Sequence, residues 1–168
     1  MDRDVLMQEG VAEKFMRYVR VNTESCDEAE TTPSTSAQWD LAHMLAGELS
    51  ALGLQDVEVD EHCFVMGRLP SNLSKPAPAV GFIAHLDTVP GIPGEGVKPM
   101  VHRGYQGDDI EVGHGVVLSP KESPALANAI GCDIITSDGS TLLGTDDKAG
   151  IADIMQALVE LISNPDIP

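Results

Sequence analysis

Nowhere in the 168 residues does an apolar run approach the roughly 18 that a membrane span requires, so the sequence offers no transmembrane segment. The opening "MDRDVLMQEGVAEKF" is too charged for the core of a secretory signal, and a cytoplasmic location is the expectation. Cysteine is scarce: Cys26, Cys63 and Cys132 are an odd number, widely spaced and without a CxxC. That suggests neither a disulfide framework nor a zinc knuckle, and the three read as ordinary thiols. Basic residues are scarce too, ten Lys and Arg against 27 Asp and Glu, for a formal charge of -17. Such a chain repels phosphate backbones and anionic bilayers, which argues against nucleic acid and membrane as partners. Metal ions and cationic ligands fit better, although an acidic surface also serves solubility alone. No internal repeat or low-complexity tract is present.

A hydrophobic content of 42% marks a globular chain, and its length suits one ordinary domain or part of a larger one. Val11, Phe15, Tyr18 and Val19 recur at helical spacing, predicting a helix within the first 20 residues. Residues 22–36 read as a polar loop. A second helix is predicted from Ala37 to about Leu52, with Leu41, Leu45, Leu49 and Leu52 as its core stripe and Gly53 as its stop. "VEVDEHCFVMGRLP" alternates as one or two strands do, and Ala79–Ala84, "AVGFIA", reads as a short buried strand. From Val89 to about Gly131 the chain is rich in Gly and Pro and is expected to make a long surface excursion. "CDIITSDG" resumes a strand and turn. "DDKAGIADIMQALVELI" then carries Ile151, Ile154, Met155, Leu158 and Ile162 on one helical face. Alternating helices and strands predict an α/β fold.

Two short patterns carry chemistry. In "IAHLDTVPG", His85 and Asp87 follow the apolar run directly, at the carboxyl end of a strand, where α/β sheets gather ligands. A neutral imidazole can ligate a metal through one nitrogen while a carboxylate accepts the other N–H and fixes the tautomer. HxD alone is permissive, and an isolated match is commonly a surface histidine. The second pattern is "LLGTDDKAG". One aspartate at the start of a helix caps it, satisfying exposed N–H groups. Of the adjacent pair Asp146 and Asp147, one therefore stays free to reach a metal such as zinc, manganese or cobalt.

"HLDTVPG" followed some 60 residues later by "TLLGTDDKAGIADIM" resembles the M20 family of co-catalytic metallopeptidases. The likeness includes the flanks "YVRVNTES", "PSTSAQWDLAHMLAGELSALGL", "VLSP" and "ITSDGST", and so covers nearly the whole chain. It implies a catalytic domain built on a central mixed, largely parallel sheet flanked by helices. It also implies that His85 ligates one metal, that Asp87 orients His85 from behind, and that Asp146 bridges two metals, with the peptide bond after Asp146 cis. The implied cofactor is two zinc ions, with Mn2+ or Co2+ as alternatives. The implied activity is release of the amino-terminal residue from a tripeptide, with a small peptide as substrate and a homodimer as a compatible assembly.

Family members are longer, and their general-base glutamate within a Glu-Glu pair, further ligands and lid domain have no counterpart before Pro168. Residues 1–168 are accordingly expected to be the N-terminal part of the catalytic domain, inactive alone, without lid or C-terminal part. An M20-like dipeptidase, an N-acyl amino acid deacylase and a non-catalytic module retaining the fold are the competing readings. His43 and His62 read as surface or packing histidines, Trp39 as a core or boundary aromatic, and His102 and His114 lie in the long excursion without an assigned role.

Overall fold

The computed structural model describes residues 1–167 and is built from five helices and six short strands. The expected first helix is two: α1 (Arg3–Gln8), capped where Asp2 accepts the Asp4 N–H at 2.9 Å, and α2 (Val11–Tyr18). The single apolar stripe runs across a break at Glu9 and Gly10, which leave the helical conformation. α3 (Gln38–Leu52) buries the predicted leucine stripe and ends on Gly53 at φ 89°, a left-handed stop that favours glycine. β1 (Gln55–Val59) and β2 (Val65–Arg68) form the antiparallel hairpin that follows.

The long excursion is ordered into β3 (Met100–His102), an antiparallel hairpin of β4 (Ile110–Gly113) and β5 (Val116–Leu118), and the single turn α4 (Pro124–Ala127). β6 (Ile134–Thr136) returns to pair antiparallel with β3. α5 (Thr145–Ser163) closes the chain.

The class is mixed α and β, but the strands differ from the expected architecture. Among the described residues they form three separate two-stranded antiparallel ladders, not one central, largely parallel sheet. Among the described residues the only parallel pairing is a single bridge between Glu24 and Thr88. Ala79–Ala84, expected as a buried strand, is not a strand: Val80, Phe82 and Ile83 are 77, 66 and 95% exposed. A buried strand needs ladder partners for its N–H and C=O groups, and no described segment supplies them.

The main core lies where α1, α2, α3 and α5 meet, around Leu6, Tyr18, Leu41, Leu45, Ile151 and Met155. A smaller cluster of Tyr105, Ile110 and Val112 supports the excursion. Two cations stitch the helices, Lys14 buried and Arg17 half-buried. Lys14 donates to the Leu6 carbonyl at 3.1 Å and to Gln156 Oε1 on α5 at 3.0 Å. Arg17 pairs with Glu9 at 2.5 Å and with the buried Glu48 of α3, whose second oxygen accepts the Tyr18 hydroxyl at 2.6 Å. Burial, reinforced by the Glu48 charge, pushes the Tyr18 pKa well above the usual range.

Removing one partner of a buried ion pair strands the other. Arg17→Ala, which leaves Glu48 only the Tyr18 hydroxyl, should lower unfolding free energy by about 3 kcal/mol in urea titrations. A loss below about 0.5 kcal/mol would place the pair with ordinary surface bridges.

Candidate metal-binding site

The polar loop after α2 forms the floor of the site. Thr88 N–H donates to the Thr23 carbonyl at 3.0 Å, and Ser25 donates to the Thr88 carbonyl through both its N–H and its hydroxyl, each at 2.9 Å. Glu24 Oε1 accepts the Gly91 N–H at 3.0 Å. These bonds clamp residues 85–91 to a chain segment more than 60 residues away, and they hold His85 and Asp87 in place without a surrounding sheet.

The aspartate doublet divides its labour. The first two residues after Thr145 are not helical: Asp146 has φ -91° and ψ 105°, Asp147 has φ -119° and ψ 30°, and the peptide bond between them is cis. Asp147 Oδ1 accepts the Gly150 N–H at 3.2 Å, so Asp147 caps the regular part of α5. A side chain at Gly150 would collide with that carboxylate, its Cβ falling 2.3 Å from Asp147 Oδ1. Asp146 is thereby turned away from the helix and lies 95% exposed.

It meets His85. The imidazole Nε2 is 2.9 Å from Asp146 Oδ1, while Nδ1 faces Asp87, 3.1 Å from Oδ1 and 3.0 Å from the main-chain carbonyl. Two carboxylates thus engage the ring from opposite ends. Partial burial alone would lower the His85 pKa, but the hydrogen bond to Asp146 and the Asp87 charge and hydrogen bond outweigh it and raise it. The same pair that stabilises a proton on the ring also offers an imidazole nitrogen and a carboxylate oxygen to a cation. Beside them opens a cleft of about 520 Å³, lined by Ser25, Val89, Pro90, Leu142, Leu143 and Thr145 as well as the site residues.

No group of three or more His, Cys, Asp or Glu residues is assembled to hold a metal among the described residues, so His85 and Asp146 stand as a pair of donors. The remaining histidines lie apart from it: His43 stacks on Trp39 at a centroid distance of 5.6 Å, His62 and His114 are exposed, and His102 Nε2 meets Thr136 Oγ1 at 3.0 Å. No described helix is long and apolar enough to cross a membrane.

No protein-family model matches the chain. Individual proteins do: it is 50% identical over 163 residues to "Peptidase T" of Geobacillus thermodenitrificans and 51% identical over 159 residues to "Peptidase T" of Aliivibrio fischeri. Over nearly its whole length, then, the chain is similar to proteins named Peptidase T. A further peptidase T, from Shouchella clausii, is 49% identical over 161 residues. These alignments take in 94–96% of the chain but only 39–40% of each relative, so the chain spans about two fifths of the length of the peptidase T relatives it matches.

Sequence reasoning missed Lys148, which sits two residues beyond Asp146 and is 2% exposed. Its Nζ donates to the Val21 carbonyl at 2.7 Å, and burial pushes its pKa down to about 8. The available clue was its position on the same α5 face as Ile151, Ala152 and Met155. Because the unfolded lysine retains its proton to a higher pH than the folded one, stability should rise between about pH 8 and the ordinary lysine value of 10.5 on account of this group. The stability advantage of Lys148→Met over the parent chain should therefore shrink as pH climbs through that window, as read from urea unfolding at matched ionic strength. A pH-independent difference would show that the ammonium is solvated in the folded state.

Proposed function

We propose that the chain is part of the catalytic domain of a metal-dependent aminopeptidase of the M20 kind that releases the amino-terminal residue of tripeptides. The observation that carries this reading is the convergence of His85 Nε2 and Asp146 Oδ1 at 2.9 Å, with Asp87 on the other ring nitrogen, in a chain half identical to proteins named Peptidase T. The donor set fits a zinc ion, with Mn2+ or Co2+ as alternatives, since imidazole and carboxylate both suit such borderline cations. In this reading His85, through Nε2, and the Asp146 carboxylate would hold the metal, and Asp87 keeps the proton on Nδ1 so that Nε2 presents its lone pair. A bound metal of this type lowers the pKa of its water and polarises a scissile carbonyl.

The chain's own residues supply the rest. Asp147 caps α5 and leaves Asp146 free of helical geometry. Asp87 fixes the ring orientation. The apolar walls of Val89, Pro90, Leu142 and Leu143 offer contact to a small peptide and limit water in the cleft. The net charge of -17 attracts both the cation and the protonated amino group of such a peptide. Residues 1–168 act within a longer protein in the cytoplasm, a homodimer being compatible, and the exposed residues 79–83 enter a larger, mostly parallel sheet there. With two protein donors, the chain by itself binds zinc weakly and hydrolyses no tripeptide.

The test uses a protein extended to the length of the relatives. It should hydrolyse a leucyl tripeptide in preference to the matching dipeptide or N-acyl amino acid, and Asp87→Asn should weaken its metal affinity or activity by about 10–100-fold. Unchanged metal content and kinetics in Asp87→Asn would reduce Asp87 to a turn residue. Preference for the N-acyl amino acid would replace the peptidase with a deacylase.

A further inference from the structure

The buried lysine poses a question that stability does not answer. Lys148 is 2% exposed, and the Val21 carbonyl is the one hydrogen-bond partner recorded for its ammonium among the described residues. An ammonium carries three donors, and leaving any of them dry is costly, so an apolar side chain of the same length would serve the core better.

Its surroundings suggest why a donor stands there. Gly144, at φ 79°, immediately precedes the turn that presents Asp146, and a Cβ there would lie 3.3 Å from Thr88 Cγ2 and 3.7 Å from Lys148 Cδ. The turn carrying Asp146, the segment carrying His85 and Asp87, and the Lys148 stem therefore meet at one buried point. The ammonium continues past it to Val21, whose segment leads within four residues to Ser25 and its two bonds to the Thr88 carbonyl. A closed path results: Asp146, the first regular turn of α5, Lys148, Val21, Ser25, Thr88, His85, and back to Asp146 across 2.9 Å.

We propose that Lys148 is a positioning residue: its bond to the Val21 carbonyl locks the start of α5 against the Thr23–Ser25 clamp and so sets the distance between the Asp146 carboxylate and the His85 imidazole. The proposal rests on the pairing of His85 with Asp146 but not on any bound metal. It requires a donor at position 148 that reaches the carbonyl.

Long-range 1H–15N spectra of the His85 ring read the pairing directly. Asp146→Ala supplies the unpaired reference. Lys148→Met should move the Nε2 resonance more than halfway from its parent value to that reference while the melting temperature holds or rises, and Lys148→Arg, which keeps a donor, should restore the parent value. A folded Lys148→Met whose His85 resonances coincide with the parent's overturns the proposal, and so does Lys148→Arg behaving as Lys148→Met does. If Lys148→Met does not fold, Ser25→Ala decides, because it removes the hydroxyl bond on the same path: a shift toward the reference supports the lock and an unmoved resonance overturns it. A parent Nε2 resonance that already coincides with Asp146→Ala would instead refute the His85–Asp146 pairing on which the proposed function stands.

Discussion

Asp146 reaches His85 because the beginning of α5 is not a helix. In a regular first turn both members of the doublet would project along the helix surface and compete for the same exposed N–H groups. With Asp146 extended and Asp147 in an intermediate conformation, the roles separate: one carboxylate accepts the Gly150 N–H, and the other points into the cleft. The arrangement depends on two glycines for opposite reasons. Gly144 supplies a left-handed turn packed against Thr88, and Gly150 leaves room for the Asp147 carboxylate.

The other half of the site is held by hydrogen bonds of high sequence separation rather than by a sheet. Thr23 and Ser25 grip Thr88, and among the described residues the single parallel bridge at Glu24 is all the ladder that residues 85–88 possess. Rigid support comes from the helices behind them. Lys14 and Arg17 tie α2 to α1, α3 and α5, and the segment leaving α2 becomes the clamp. Core packing and site geometry are in this way continuous, since displacing α2 against α5 would move the clamp relative to Asp146.

Helices carried by strong periodicity were legible from sequence. The Leu41–Leu45–Leu49–Leu52 stripe with Gly53, and the Ile151–Met155 face of α5, mark their elements because burial repeats every three or four residues. The break at Gly10 was hidden because the apolar stripe continues across it. Pairing of strands was not legible: "AVGFIA" has the composition of a buried strand, yet pairing depends on partners elsewhere, and among the described residues it stands exposed. Motif and spacing single out His85, Asp87 and Asp146, but the strand expected to present His85 and Asp87 does not form among the described residues, and bonds from Thr88 to Thr23 and Ser25 hold that segment instead. Lys148 was overlooked because a lysine between charged and small residues reads as solvated, and only its helical register places it inside.

The imidazole and carboxylate facing each other across 2.9 Å are the pair proposed to hold a metal ion. Crystals of the chain equilibrated with zinc and measured on either side of the zinc absorption edge test it most directly. The account predicts an anomalous peak between His85 Nε2 and Asp146, about 2.0–2.2 Å from each, that vanishes in His85→Ala. Anomalous density confined to other carboxylates or to the cysteines, with the His85–Asp146 hydrogen bond intact, would contradict it.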